Sequence, residues 1–352
     1  VIIEYRFPDE IDEGGLIHPV DRVLKEADDG GGYYHCRKLL GSGALSCPLW
    51  FIFGGRRIGK TDMMLQVACQ LWIQEGRRTM WLRSLKTEFS QEFVGDFLND
   101  AIDRGWCPED WYAGMDGVHD SEGKLCIKFQ ALNTFSNRRG PAHPDVDLMV
   151  LDEACPEDVR KYPPHPMTAL LSLSKTVFAG REGCRIIALS NIVSAANPWF
   201  AALRILPEKN VSVWMNKGVA VEICEGYKCS IAPDSPWNRL YKAANYGDYA
   251  SDSEDPMKRL IVKKNVKGTP ERWALLTPNG LYRQIMDEKG RKIWTECPAN
   301  FSGPVYVTDP TKLEGTLINP LLAMSIRDDF NNQRLRFTSI NAMWDVCEAV
   351  IF

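Results

Sequence analysis

The sequence predicts an α/β fold built around a mostly parallel sheet, and three observations lead to this prediction. Short apolar runs typical of buried strands alternate with helical patterns between about residues 49 and 206. Polar residues follow several of these runs directly, and parallel sheets bind ligands at the carboxyl ends of their strands. One such strand end carries a complete phosphate-binding loop pattern. After residue 207 short strands and turns predominate, which indicates a second, smaller α+β domain.

Composition is that of an ordinary globular protein. The 352 residues suffice for about two domains, and 45% of them are hydrophobic and 25% charged. No apolar run approaches the roughly 18 residues of a membrane span, so we expect no membrane segment. The net charge is −4, so nucleic-acid binding would depend on local basic patches. The eleven cysteines show only one weak metal-type spacing, Cys224 and Cys229, and buried reduced thiols are the better interpretation.

The phosphate-binding loop follows the apolar run Leu49 to Phe53. Residues 54–61 match the loop pattern, and an apolar helical face within residues 62–75 supplies the helix that must follow. Backbone N–H groups and the helix N-terminus would surround the phosphates of ATP. Lys60 would reach the β- and γ-phosphates and Thr61 would bind Mg²⁺, whereas a chance match in a glycine-containing turn is the alternative. The candidate nucleotide-binding residues are Gly54, Gly55, Arg56, Arg57, Ile58, Gly59, Lys60 and Thr61, with Arg83 at the end of the next strand.

The other elements follow from apolar periodicity and turn residues. In the first half we expect strands at 78–84, 124–129, 148–151 and 185–191, and helices at 89–101, 167–178 and 198–206. In the second half we expect strands at 211–214, 219–224, 272–276, 281–286, 291–297 and 305–307, and helices at 321–329 and 340–351. We assign residues 1–47 to an N-terminal arm, 48–206 to the nucleotide-binding domain, 207–256 to a linker region and 257–352 to the second domain.

Two adjacent carboxylates end the apolar strand at residues 147–151. In phosphate-loop hydrolases the first carboxylate of such a pair holds Mg²⁺ and the second polarises the attacking water. We therefore expect Asp152 at the metal and Glu153 as the base, although an apolar run followed by two acids is often an ordinary strand end. Ser190 and Asn191 end the next strand and could hold the water or the γ-phosphate, or simply enter a turn.

Phosphoryl transfer also needs positive charge at the γ-phosphate, and a neighbouring subunit often supplies it as an arginine. Arg181 follows a predicted helix, and Arg138 and Arg139 lie in the loop at 136–144, although exposed arginines are commonly plain surface residues. Contact with nucleic acid through its phosphates requires only Lys and Arg and does not depend on base sequence. The candidates for it are Arg138 and the basic run Lys258, Arg259, Lys263, Lys264 and Lys267, with a solvated charged face as the alternative.

These motifs together resemble the genome-packaging ATPases of phi29-like tailed phages. The stretch FIFGGRRIGKT resembles that family's strand and phosphate loop, and Pro144 to Glu153 (PDVDLMVLDE) is similar to its second acidic motif. From Ala169 to Phe200, a helix, an arginine turn, a strand, a Ser-Asn tip and Asn-Pro-aromatic follow in the family's order. The resemblance covers roughly residues 45 to 206. One departure is that Ala179 and Gly180 precede Arg181, where the family is richer in arginine.

The resemblance implies a P-loop ATPase domain of the ASCE (RecA-like) type and a smaller α+β domain similar to a ribonuclease-H-like fold that has lost its nuclease site. It implies ATP and Mg²⁺ bound by Lys60, Thr61 and Asp152, Glu153 as the base, and Arg181 or Arg139 acting on a neighbouring subunit. The implied assembly is a pentameric ring at the portal vertex of an empty capsid in the host cytoplasm. That ring drives double-stranded DNA inward, with the phage portal and a packaging RNA as implied partners and no membrane.

Two other functions remain open on the sequence. A complete terminase would add metal-dependent cutting, which needs clustered acids at strand ends after residue 255. Asp287 and Asp309 are the nearest acids there, and their surroundings are those of turns. A P-loop kinase or regulatory nucleotide-binding module would move no DNA, so stimulation of ATP hydrolysis by DNA would separate it from the other two.

Overall fold

A computed structural model describes residues 18–27, 31–135, 143–156, 158–191, 197–207, 211–228, 236, 239, 261–262, 266–331 and 334–351. The chain divides into two compact units. The first unit contains residues 1–154, 168–192 and 207–252, and the second contains 155–167, 193–206 and 253–352. Across the described ranges, no helix combines the length and the apolar character that crossing a membrane requires.

A nine-stranded sheet forms the centre of the first unit, in the order β3-β4-β5-β2-β6-β7-β1-β9-β8. Its strands are β1 (Leu49–Phe53), β2 (Arg78–Arg83), β3 (Tyr112–Ala113), β4 (Gly117–His119), β5 (Leu125–Ala131), β6 (Val146–Leu151), β7 (Arg185–Ser190), β8 (Val213–Asn216) and β9 (Val219–Ile223). In this order the six consecutive strands β5, β2, β6, β7, β1 and β9 are parallel to one another. The strands β3 and β4 at one edge and β8 at the other edge pair antiparallel. The inner strands β1, β6 and β7 are buried at every position, as expected for strands covered on both faces.

Helices cover this sheet and fix the direction of the phosphate loop. They are α1 (Pro19–Glu26), α2 (Arg37–Gly41), α3 (Lys60–Glu75), α4 (Gln91–Asp103), α5 (Leu132–Phe135) and α6 (Pro166–Phe178). Helix α3 begins at Lys60, two residues before the expected start, and its buried side chains include Met64, Leu65 and Leu71. It ends at Gly76, whose left-handed φ of 61° allows its N–H to close the last turn.

A second sheet of seven strands belongs to the second unit, in the order β15-β14-β11-β12-β13-β16 with β10 beside β12. Its strands are β10 (Thr269–Pro270), β11 (Ala274–Thr277), β12 (Gly280–Met286), β13 (Lys292–Glu296), β14 (Val305–Val307), β15 (Thr316–Leu317) and β16 (Leu335–Phe337). Helices α7 (Pro198–Leu203), α8 (Pro320–Asn331) and α9 (Ile340–Val346) accompany it, and α9 continues as a π-helical turn over Cys347–Ile351. The expected hairpin at 272–286 is present, because β11 and β12 pair antiparallel around a short turn.

Residues 207–256, expected to be a linker region, differ most from the sequence-based domain division. Strands β8 and β9 extend the first sheet, since β9 pairs in parallel with β1 along its whole length. Residues 155–167 and 193–206 group with the second unit instead of the first. The strands expected at 211–214 and 219–224 lie at Val213–Asn216 and Val219–Ile223. Local patterns could not show which sheet they join, because parallel strands pair across long stretches of chain.

Candidate nucleotide site

The phosphate loop begins where β1 ends and is held on both sides by neighbouring strands. The N–H of Gly54 donates to the carbonyl of Ser190 on β7 at 3.3 Å, and the N–H of Cys224 donates to the carbonyl of Phe53 at 2.6 Å. A Cβ at Gly54 would lie 2.6 Å from the Cβ of Cys224 and 2.8 Å from the side chain of Ile58. Only glycine fits at this point, so the close approach of backbone that a phosphate site needs is built in.

The lysine of the loop is buried and bonded to the loop's own backbone. Gly59 adopts φ +93°, which turns the chain into α3 and directs Lys60 back over the loop. The Nζ of Lys60 donates to the carbonyls of Gly54 at 3.0 Å and Gly55 at 2.7 Å. Burial lowers the pKa of Lys60 to about 8. The structure therefore presents a cation inside the loop whose charge is sensitive to its surroundings.

Thr61 and Asp152, assigned to the metal from the sequence, meet in the structure. The hydroxyl of Thr61 donates to the Oδ1 atom of Asp152 at 3.4 Å, although 91 positions separate them in the chain. Arg83, at the end of β2, donates to the other carboxylate oxygen at 3.1 Å and lies over the ring of Phe93. This contact is consistent with the expectation that Arg83 reaches the nucleotide site, because it places the guanidinium charge of Arg83 at Asp152, beside the loop.

The two acids are held rigidly because β6 runs between β2 and β7. The N–H of Asp152 donates to the carbonyl of Leu82, and the N–H of Ala154 donates to the carbonyl of Leu189. Between them Glu153 adopts φ +56°, a conformation that a side-chain-bearing residue rarely takes, and its N–H donates to the Oδ1 atom of Asp152. The two acids expected from the sequence therefore follow β6 directly and are fixed by backbone hydrogen bonds to the strands on either side.

The next strand end lies beside the loop. Ser190 is buried and gives its carbonyl to Gly54, and Asn191, which follows it, is partly buried. Their position at the carboxyl end of β7, between β6 and β1, agrees with the expected placement near the γ-phosphate. Asn197, by contrast, belongs to the second unit, where its side chain accepts a hydrogen bond from the N–H of Phe200 and caps α7.

Arg181 lies at the opposite end of β6. Its guanidinium forms an ion pair with Asp147 and donates to the carbonyls of Val146 and His143. Asp147 stands near the start of β6 and Asp152 just past its end, so about 16 Å of strand separates the two acids. From this position the Arg181 side chain does not reach the phosphate loop of its own chain.

Asp147 joins two arginines at this edge and was given no role from the sequence. Arg77 donates to its Oδ2 atom, while Arg181 occupies Oδ1. Burial opposes ionisation, but the hydrogen bond and charge of Arg77 and the charge of Arg181 outweigh it and hold the pKa of Asp147 below its usual range. His18 and Cys184 also lie nearby, and among the described residues this is the one group with the spacing of a three-ligand metal site. The two guanidinium groups already neutralise the carboxylate, so we assign it to structure.

Several candidate basic residues lie outside the described residues: Arg138, Arg139, Lys258, Arg259, Lys263 and Lys264. Lys267 is described and exposed. Cys229, one member of the weak metal-type spacing, also lies outside the described part of the chain. The ten described cysteines are free thiols, mostly buried, as expected.

A buried acid next to the loop escaped the sequence analysis. Glu222 lies on β9 directly beside Ile52 of β1 and is fully buried. Its carboxylate accepts hydrogen bonds from the hydroxyls of Tyr34 at 2.9 Å and Tyr227 at 3.1 Å. Burial raises the pKa of Glu222 to about 7, and the two hydroxyl donors limit the rise. The signal that could have revealed it is a single acid within the apolar run Val219–Ile223.

Comparison with known proteins decides the family. A model of the family described as Podovirus DNA encapsidation protein (Gp16) matches residues 29–267, more than half of the chain. The chain belongs to this family. The encapsidation-protein match contains the phosphate loop, the acidic strand end and the two strands β8 and β9.

Curated relatives and solved structures agree that the chain belongs to this family. The DNA packaging protein of Bacillus phage phi29 is 28% identical over 224 residues, 63% of this chain and 65% of the relative. That of Bacillus phage B103 is 29% identical over 206 residues, 58% of this chain and 63% of the relative. The chain therefore matches slightly less than two thirds of the length of either relative.

Two solved structures share the fold. The Phi-28 gp11 DNA packaging motor has a TM-score of 0.63 at 15% identity and covers 91% of this chain and 98% of that one. The bacteriophage Phi-29 viral genome packaging motor assembly has a TM-score of 0.59 at 23% identity, with coverage of 88% and 96%. At these identities the likeness establishes a common architecture.

Proposed function

We propose that this encapsidation-family protein is an ATP-driven translocase that packages double-stranded viral DNA into a preformed capsid. Family membership supports DNA packaging as the process, and the shared fold supports a motor. The observation that supports ATP hydrolysis most directly is the contact between Thr61 and Asp152, beside a loop in which Gly54 leaves no room for a side chain. A chance match to the loop pattern would not be expected to bring the second carboxylate motif to the same place.

The residues present fit Mg²⁺. The Thr61 hydroxyl at the start of α3 and the Asp152 carboxylate just past the end of β6 are hard oxygen ligands that contact each other, and Mg²⁺ commonly takes one or two such groups together with phosphate oxygens. Bound there, Mg²⁺ would neutralise charge on the β- and γ-phosphates. Arg83 holds the second oxygen of Asp152 and so would orient this ligand.

The chain's own groups then take distinct roles. Lys60 would exchange its contacts with the loop carbonyls for the phosphates, and the loop N–H groups would fix them. Glu153, which follows Asp152 in a left-handed backbone conformation, would accept a proton from the attacking water. Ser190 and Asn191 would position that water or the γ-phosphate from the neighbouring strand end.

The test of the proposal is ATP hydrolysis by the purified protein with and without long duplex DNA. We expect Mg²⁺-dependent hydrolysis that DNA stimulates and that Lys60→Ala abolishes. Hydrolysis without any response to DNA would favour a P-loop kinase or regulatory module. Near-normal hydrolysis by Lys60→Ala would refute the site.

A terminase with its own nuclease is the second candidate, and the second unit argues against it. Asp287 accepts hydrogen bonds from the N–H groups of Lys289 and Arg291, and Asp309 accepts one from the N–H of Thr311. Both acids therefore serve as turn residues. Mixed parallel and antiparallel pairing in the second sheet is compatible with a ribonuclease-H-like fold, and we propose that this unit contacts DNA without cutting it.

We further propose that subunits form a homopentameric ring at the portal vertex in the host cytoplasm, with the phage portal and a packaging RNA as partners. In that ring Arg181 or Arg139 would complete the neighbour's site. The position of Arg181 at the far end of β6 supports an action between subunits over one within the subunit.

Mixing inactive subunits tests the shared site. Lys60→Ala subunits keep the arginines, and Arg181→Ala or Arg139→Ala subunits keep an intact pocket. If the arginine acts on the neighbour, some mixed interfaces combine both, and we expect ATP hydrolysis to reappear. A mixture that assembles and stays as inactive as its parents would show that these arginines do not act between subunits.

A further inference from the structure

Two chain segments flank the phosphate loop on the side away from the acids. In the sheet, β1 lies between β7 and β9, and the acidic strand β6 lies beyond β7. Residues 31–38 and 224–228 lie on the β9 side, where the N–H of Lys228 donates to the carbonyl of Gly32. If the γ-phosphate faces Asp152 and Glu153, these two segments lie on the side of the loop left for the nucleoside.

Tyr33 touches the loop directly. A Cβ built at Gly59 would lie 3.1 Å from the Cβ of Tyr33 and 3.7 Å from its Cγ. The N–H of the following residue, Tyr34, donates to the carbonyl of Ile58 inside the loop at 2.7 Å. Tyr33 itself is only partly buried, so it keeps ring surface at the edge of the loop. An aromatic ring thus lies against the last glycine before the phosphate-binding lysine.

The ring has a cation beside it. The Nζ atom of Lys228 lies 5.3 Å from the centroid of the Tyr33 ring, and Lys228 is exposed. Aromatic rings bind nucleobases by stacking, and a nearby cation strengthens such a surface while remaining available to ribose or phosphate oxygens. At the edge of a phosphate loop, a partly exposed aromatic ring can stack on the base of a nucleoside, and an exposed cation can contact its ribose oxygens.

A buried polar network holds this surface in place. Glu222 accepts hydrogen bonds from Tyr34 and Tyr227, and the rings of the two tyrosines are 5.2 Å apart in an edge-to-face contact. The oxygen of the Tyr227 hydroxyl also lies 3.4 Å from the carbonyl of His35. Because each of these groups is tied to β9 or to the loop, Tyr33 is positioned before any ligand arrives, which reduces the entropy lost on binding.

We propose that Tyr33 and Lys228 form the nucleoside-binding surface of this site, with the Tyr33 ring stacked on the base of a nucleoside triphosphate. The inference rests on the proposed nucleotide site and assigns its base-binding residues. Stacking tolerates any base because each base has a π-face. ATP and GTP therefore lose affinity by the same factor when the ring is removed.

The test compares ATP, GTP and inorganic triphosphate as ligands by calorimetry in Mg²⁺. For Tyr33→Ala we expect a loss of about 5- to 150-fold in affinity for ATP and GTP, and a change below about twofold for inorganic triphosphate, which has no base. Tyr33→Phe keeps the ring and should bind ATP as the parent does. Lys228→Gln should lose about two- to fivefold. Tyr112→Ala, an exposed tyrosine on β3 at the far edge of the sheet, is the matched control.

The outcomes separate the possible roles. An equal loss for ATP and triphosphate would show that Tyr33 only supports the loop, and this would overturn the proposal. Unchanged ATP affinity in Tyr33→Ala would place the base elsewhere and overturn it as well. If the parent protein bound neither ATP nor triphosphate, the phosphate loop itself would fail, which is a different result. If Tyr33→Ala does not fold, Lys228→Gln decides the test, and unchanged ATP affinity in that variant would overturn the proposal.

Discussion

The buried lysine of the phosphate loop should make nucleotide affinity depend on pH in the alkaline range. Burial lowers the pKa of Lys60 to about 8. Only the protonated amine attracts phosphate, and the negative charge of a bound triphosphate would raise the pKa of Lys60, so that Lys60 stays protonated in the complex. ATP therefore binds a form of the protein that becomes scarce as pH rises through 8, and affinity falls in that direction.

The size of the effect follows from the fraction of protonated lysine. The apparent dissociation constant rises by the factor 1 + 10^(pH − pKa), so between pH 7.5 and pH 9 affinity should fall about eightfold. The groups facing Lys60 are Cys224, Asp152 and Arg56. Burial raises the pKa of Cys224 well above its usual value, so that thiol stays neutral across the range.

Calorimetric titration of Mg·ATP at several pH values measures this dependence. Lys60→Arg is the matched variant, because a guanidinium stays protonated and the residual affinity should be nearly constant from pH 7.5 to 9. Glu222→Gln controls for the buried acid nearby, and it should retain the eightfold fall. An affinity for ATP that is constant over this range in the parent protein would refute the reasoning.

Three further predictions concern the acids and the basic run. Glu153→Gln should keep ATP bound while hydrolysis falls on the order of 10²–10⁴-fold, whereas Asp152→Ala should also lose Mg²⁺-dependent binding; normal turnover by Glu153→Gln in a phosphate-release assay would place the base elsewhere. The pKa of Glu222 rises from 4.5 to about 7 in the folded protein, so stability is lost as pH rises between those values, by at most about 3 kcal/mol. Thermal melting should show Glu222→Gln gaining stability over the parent between pH 5 and pH 8, and an unchanged difference would contradict this. Lys263, Lys264 and Lys267 lie near the start of the second domain. Replacing all three should weaken DNA binding evenly across sequences and reduce its salt dependence. If the affinity for DNA and its salt dependence stayed unchanged, these lysines would not contact DNA.

Local sequence was sufficient for the centre of the first sheet and for the acids beside the loop. The buried strand at Leu49–Phe53 and the glycine stop at Gly76 appear as expected, because each depends on a pattern a few residues long. The meeting of Thr61 with Asp152 was also predictable, since parallel strands align their carboxyl ends. The direction of the Arg181 side chain was not, because its partner Asp147 lies on another element.

What the sequence did not show depends on pairing between distant segments. The short strands Tyr112–Ala113 and Gly117–His119 carry too few residues for a periodic signal, and they exist because β5 offers an edge. Glu222 received no role from the sequence, and its buried position depends on the pairing of β9 with β1 and on the hydroxyls of Tyr34 and Tyr227 that bond its carboxylate. Such contacts arise from tertiary packing, which overrides local propensity.

The placement of Arg181 and Asp152 at opposite ends of one strand also has a consequence for symmetry. If Arg181 serves a neighbour, the surface near Asp147 on one subunit meets the surface near Asp152 on the next, and these are different surfaces. A contact of that kind is heterologous, so each subunit keeps one of the two surfaces available for a further copy. Repeating it gives a closed ring when the rotation between subunits closes, and a helical filament when it does not. The number of subunits is then set by the angle between neighbours, and changes at residues around Asp147 should alter ring closure before they alter nucleotide binding.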